Sequence, residues 1–148
     1  MNNWVDQESY AGFHAKGGAI YSTKNLKLTG CVFDKNYCTG RYTAGMGGAV
    51  LCGADVDVNN CEFTNNYPGT FGNWYGDGAA IYAVGKLKAS NSKFLGNTPK
   101  GMEAAIYSSS NDYQIINCIF DDGSSTSSSG ESSTSSSGSS KTVKKLTP

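Results

Sequence analysis

Histidine occurs once and proline three times, and the formal charges cancel, with twelve acidic and twelve basic side chains among 148 residues. With His14 alone and no Cys-x-x-Cys pair, no spacing in the chain offers enough ligands for a zinc site. Zero net charge leaves no field to draw in nucleic acid or an anionic membrane surface, so neither is expected as a partner. No apolar run approaches the ~20 residues of a membrane helix, so no membrane insertion is expected. The segment Met1-Asn2-Asn3-Trp4-Val5-Asp6 has no basic region followed by an apolar stretch, and so no visible signal peptide. No ten-residue stretch carries a helical period, and 19 glycines argue against helices as well.

Composition divides the chain in two. Residues 123–140 are Ser, Thr and Gly interrupted only by Glu131, with no apolar side chains whose burial could offset the entropy of ordering them. The folding unit is expected to be residues 1–122. Residues 123–148 are expected to be a disordered low-complexity linker with a basic end of Lys141, Lys144 and Lys145, a composition that suits a flexible spacer.

What the folding unit has in abundance is repetition. Gly17-Gly18-Ala19-Ile20-Tyr21 recurs as Gly47-Gly48-Ala49-Val50-Leu51, as Gly78-Ala79-Ala80-Ile81-Tyr82, and as Ala104-Ala105-Ile106-Tyr107. A second block follows each copy: Cys31-Val32-Phe33, Cys61-Glu62-Phe63, Ser92-Lys93-Phe94 and Cys118-Ile119-Phe120. From Ile or Val to Phe the distance is 13, 13, 13 and 14 positions, and from Phe to the next Ile or Val it is 17, 18 and 12. A fixed half and an elastic half is what stacked coils require, because one half must hold register while the other only returns the chain. Between the blocks, Leu26-Lys27-Leu28, Val56-Asp57-Val58, Leu87-Lys88-Ala89 and Tyr113-Gln114-Ile115 alternate as half-buried strands do.

A unit this short cannot bury its apolar face alone, but copies stacked along an axis pair each strand with its counterpart and close a shared core. The expected fold is therefore all-β: a parallel β-helix of about four coils, residues 17–46, 47–77, 78–103 and 104–122. It is right-handed by the general chirality of crossovers within a sheet. Residues 1–16 resemble the loop of a preceding coil, so the chain is read as a fragment or a short relative of a longer repeat protein. The alignment sets Asp55 over Lys86, Asp57 over Lys88, Glu62 over Lys93, Lys27 over Asp57 and Lys86 over Asp112. Such exposed pairs are each worth tenths of a kcal/mol, and their use is in opposing a register slip.

The two blocks resemble the polymorphic outer membrane protein repeat of chlamydial autotransporters and adhesin-like microbial proteins. Its signatures are Gly-Gly-Ala-(Ile/Leu/Val), met by residues 17–20 and 47–50, and Phe-x-x-Asn, met by Phe33…Asn36, Phe63…Asn66 and Phe94…Asn97. The third and fourth copies depart from the first signature, and Gly123 stands where the fourth Asn would be. The resemblance covers about residues 17–123. It implies a pectin-lyase-like β-helix exposed at a cell surface, and it implies no particular ligand.

Cys31, Cys61 and Cys118 share one repeat position with Ser92, which reads as a small inward core residue. A Cys31–Cys61 disulfide is the minor alternative there. Cys38, read as lying in a loop, and Cys52, at a strand end, are the expected reactive thiols. The segment from Tyr67 to Asp77 carries Tyr67, Phe71, Trp74 and Tyr75 among glycines. Exposed, these aromatics would suit protein or carbohydrate recognition; the plainer reading is a lid folded over the side of the solenoid. The row Tyr21, Leu51, Tyr82, Tyr107 forms a ladder whose facing the period leaves open.

Parallel β-helices also include carbohydrate-active enzymes, which need carboxylates converging on one groove. Here Asp55, Asp57 and Glu62 face lysines, Asp34 and Asp121 lie far apart, and Arg41 sits in a loop without an acidic motif. No catalytic residue, metal ligand or cofactor is assigned. The expected function is a non-enzymatic, adhesin-like module presenting loops to a host or cell-surface protein or carbohydrate. The rival is a truncated polysaccharide lyase or glycoside hydrolase. End-to-end self-association through bare β-helix ends is a third expectation.

Overall fold

The computed structural model describes residues 4–7, 16–40, 45–71, 74–97, 105–110, 112–120 and 141–143. A strand β1 (Trp4–Gln7) precedes four coils. Coil one contributes β2 (Ile20–Ser22), β3 (Leu26–Thr29), β4 (Val32–Asp34) and β5 (Tyr37–Gly40). Coil two contributes β6 (Val50–Cys52), β7 (Val56–Asn59) and β8 (Glu62–Thr64), followed by a hairpin of β9 (Thr70–Phe71) and β10 (Trp74–Tyr75). Coil three holds β11 (Ile81–Ala83), β12 (Leu87–Ser90) and β13 (Lys93–Leu95); coil four holds β14 (Ile106–Ser108), β15 (Tyr113–Ile116) and β16 (Ile119–Phe120). A last strand, β17 (Lys141–Val143), follows the Ser/Thr/Gly-rich stretch.

Three sheets run along the axis, in the orders β17-β14-β11-β6-β2, β15-β12-β7-β3 and β16-β13-β8-β4. Every coil-to-coil pairing in them is parallel, and β17 joins β14 antiparallel. Successive coils are offset by 30 residues, then 31, then 26. The shortening leaves Leu87-Lys88-Ala89 opposite Tyr113-Gln114-Ile115, so register survives. β1 pairs in parallel with β5, placing residues 4–7 above the first coil as the preceding winding the sequence suggested.

Alternation along each strand directs one side chain in two inward. Val50, Ile81 and Ile106 from the first sheet meet Leu28, Val58, Ala89 and Ile115 from the second. The third sheet adds Phe33, Phe63, Phe94 and Phe120, the column on which the stacked-coil reading depended. Their rings stack at centroid distances of 4.8, 5.1 and 5.3 Å and lie within 14° of parallel. Burying one such ring is worth about 1.5–3 kcal/mol, with roughly 0.5–1.5 kcal/mol more from ring contact.

A closed coil must turn sharply between sheets, and single left-handed residues make the corners. Gly30, Asn60, Asn91 and Asn117 occupy one such position, with φ of 64, 53, 50 and 52°. Lys35, Asn65 and Gly96 occupy the next, at 53, 54 and 67°. Glycine and asparagine enter this region at little cost, and Lys35 is the exception. The second glycine of the repeated block answers a different need. A Cβ on Gly48 would lie 2.1 Å from the Ala79 carbonyl oxygen, so coils approach there backbone to backbone.

Two polar ladders thread the interior. Asn36, Asn66 and Asn97 are all buried. Asn66 Oδ1 accepts from both the backbone N–H and the side-chain amide of Asn36, at 3.0 and 2.7 Å. Asn97 Oδ1 does the same for Asn66, at 2.9 and 2.8 Å, and the Asn66 amide also donates to Phe33 O at 2.9 Å. The Phe-x-x-Asn signature thus pairs a stacked ring with a rung that satisfies backbone groups a β-corner would otherwise strand. The second ladder is Cys31, Cys61, Ser92 and Cys118, where each side chain donates to the carbonyl two residues earlier. All five cysteines are free thiols.

Candidate functional site

The aromatic segment was the first candidate. Tyr67 stacks on Tyr37 of the coil above, with centroids 5.1 Å apart. Pro68, Gly69 and Gly76 are buried, and a Cβ on Gly76 would meet Gly45 O at 2.3 Å. The segment therefore folds tightly against the corner it departs from. Phe71 pairs with Trp74 and Thr70 with Tyr75 in the two-strand hairpin, which brings Phe71, Trp74 and Tyr75 to one short excursion. How their side chains point lies outside the described residues.

The two thiols expected to react sit in surroundings that disfavour reaction. Cys38 lies in β5, not in a loop, and is fully buried. Burial pushes its thiol up to about 11, and the thiol donates to Met46 O. A thiol so held is protonated at neutral pH and poorly nucleophilic. Cys52 is also fully buried and donates to Lys24 O and Asp55 O. At Cys52 strand alternation left no mark because every residue of β6 is buried.

The row Tyr21, Leu51, Tyr82, Tyr107 alternates with the core residues Val50, Ile81 and Ile106 and so faces away from the interior. It is nonetheless unevenly covered. Tyr21 is 51% exposed, with the Lys16 ammonium 5.2 Å from its ring centroid, whereas Leu51 is 4% exposed. Tyr82 and Tyr107 stack at 4.5 Å, and burial followed by the Tyr107 neighbour pushes the Tyr82 phenol up to about 12.

An open groove of about 470 Å³ runs over the outer face of β3, β7, β12 and β15. Two rows line it: Asn25, Asp55, Lys86 and Asp112, and beside them Lys27, Asp57, Lys88 and Gln114. The expected charge pairs form in part. Lys86 Nζ reaches Asp112 at 2.8 Å and Lys93 reaches Glu62 at 4.0 Å. Asp55, however, accepts the backbone N–H of Lys86 at 2.9 Å instead of its ammonium. Asp57 stands between Lys27 and Lys88 in register, yet among the described residues it closes no ion pair with either. Lys27 and Lys88 are exposed, and an exposed pair gains little over hydration by water. On a neighbouring face Asp34 accepts from the Thr64 hydroxyl at 2.8 Å, which holds its carboxyl below the usual range. Arg41, Asp121 and His14 lie outside the described residues, within which no three metal-ligating side chains come together.

The charge rows were legible as register markers, but their shared groove was not, because sequence gives no curvature. The asparagine ladder was visible only as a signature. Recurrence of Asn at the coil offset behind each Phe is the signal that could have revealed it.

No curated protein and no solved structure matches the chain. A family model described as the right handed beta helix region matches residues 1–120. Four parallel coils with in-register columns are what that description requires, and the chain belongs to the right-handed β-helix family.

Proposed function

We propose that the chain is a non-enzymatic β-helical module of a cell surface, which presents the side of its solenoid to a protein or carbohydrate partner. The observation that carries this reading is the fate of the outward carboxylates. Asp34, Asp55, Asp112 and Glu62 are each tied to a group in an adjacent coil, by the hydroxyl, amide and ammonium contacts described above. A carboxylate that moves protons for glycosidic cleavage has to face substrate. These serve coil stacking. The resemblance to the polymorphic outer membrane protein repeat and the Ser/Thr/Gly spacer both suit an adhesin-like role outside the cell. No helix among the described residues is long and apolar enough to cross a membrane.

The presenting surface is the excursion bearing Tyr67, Phe71, Trp74 and Tyr75. A glycan array probed with the wild type and with the Trp74→Ala, Tyr75→Ala double variant tests it. Retention of a specific signal by the wild type and its loss in the variant are expected. Equal binding by both would remove the excursion from the reading. Protease shaving of intact cells should release the module, and its protection would place it inside. Among the described residues β15 and β16 end their sheets, and such edges suit association with a second copy, which light scattering at rising concentration would show.

One observation favours a carbohydrate-active enzyme: Asp55, Asp57 and Asp112 line one groove. Release of reducing ends from a polyuronide, abolished by Asp57→Asn, would establish that reading in place of ours.

A further inference from the structure

We propose that Cys31 and Cys61 are a redox pair, which an oxidising environment converts into a disulfide stapling the first coil to the second. The inference is independent of the function proposed above. It rests on where the ladder places these two thiols. The backbone N–H of Cys31 donates to Cys61 Sγ at 3.4 Å, so the lower sulfur sits directly against the upper residue. Both side chains adopt the same arrangement, each donating at 3.4 Å to the carbonyl two residues earlier. The flanking strands pair in parallel, Val32 opposite Glu62, which sets the two Cα atoms about 4.8 Å apart. That lies inside the ~4.4–6.8 Å range that a disulfide spans, and rotation of one side chain supplies the remaining approach.

The rest of the ladder makes the pairing selective. Ser92 occupies the third rung and donates its place in the stack as a hydroxyl, accepting from the Cys61 N–H at 3.0 Å. Cys61 is thus flanked by one thiol, and the rung beside Cys118 is a serine. Cys31 alone among the five cysteines is partly exposed, so reagents reach it first. Burial raises the Cys61 thiol; the Cys31 N–H opposes the rise and the Cys31 thiol adds to it, so the two groups already sense each other.

The chemistry is thiol–disulfide exchange with a low-molecular-weight disulfide as oxidant. Cys31 thiolate attacks one sulfur of the oxidant, forming a mixed disulfide and expelling the first small thiolate. Cys61 thiolate then attacks Cys31 Sγ, forming the Cys31–Cys61 bond and expelling the second. Two protein thiols are oxidised, one small disulfide is reduced, and the two protons pass to the departing thiolates. The product closes a loop at the offset of 30 residues between the coils and so constrains the unfolded chain.

Oxidised glutathione added to the native full-length chain tests this, read by alkylation of remaining thiols and peptide mapping. The expected result is loss of two of the five thiols and one bridged peptide containing Cys31 and Cys61, with a rise in the urea midpoint. Cys118→Ser should leave this unchanged, while Cys31→Ser and Cys61→Ser should abolish both the bridge and the rise. Serine already fills the third rung, so these variants carry a side chain the ladder accepts. A glutathione adduct that persists on Cys31, a bridge to Cys38, Cys52 or Cys118, or no reaction at all would each overturn the proposal. The wild-type map decides the matter even if a variant fails to fold.

Discussion

The asparagines inside the solenoid and the charges outside it are both polar ladders in register, yet they hold the coils together to very different degrees. Each charge on the outer face has water as an alternative partner, so losing a neighbour costs little. Each asparagine inside has none. Asn66 satisfies the Asn36 N–H, its amide and the Phe33 carbonyl together, and a slipped coil would strand all of them. Register is therefore enforced by what the interior cannot leave unmade, and the outer charges only agree with it.

The comparison can be broken by mutation, beginning with the apolar column beside the inner ladder. Phe63→Ala removes a fully buried ring stacked on both sides and should cost about 3–5 kcal/mol in urea denaturation. Asn66→Leu keeps the volume but orphans several buried groups. A loss of about 2–4 kcal/mol is expected, and a neutral result would show that the ladder is not what fixes register. Lys35→Asn should go the other way, gaining about 0.5–1 kcal/mol by relieving a left-handed lysine. For the outer ladder, Lys86→Ala should leave the urea midpoint within experimental scatter although it breaks the 2.8 Å pair with Asp112. The smallest effect is in acid. Because the folded carboxyl of Asp34 titrates below its ordinary value of 3.8, its contribution is present above that value and fades as pH falls through the folded pKa. Asp34→Asn should slightly flatten the acid limb of a stability–pH profile.

The fold was legible wherever a residue type recurred at the coil offset. Gly-Gly-Ala and Cys-x-Phe located the coils, and Phe33 to Phe120 stack as their spacing required. Facing was not legible where neighbours on a strand are all buried, as at Val50-Leu51-Cys52, because alternation then leaves no mark. Cys38 was misplaced for a related reason. β5 is an extra strand of the first coil held by β1, a pairing across 33 positions between segments with no shared motif. The candidate surface was legible only as composition: four aromatics among glycines predicted an excursion, not a hairpin pinned by Pro68 and the Tyr37–Tyr67 stack.

The Phe and Asn columns lie outside the stretch between each Asn rung and the following glycine block. There the coils differ most in length, and there the β9–β10 hairpin departs without disturbing Phe63 over Phe33 or Phe94 below it. Foreign peptides spliced at this corner in successive windings would stand in a line, graduated at about 4.8 Å. The same geometry makes the solenoid a support for displaying grafted epitopes at fixed intervals.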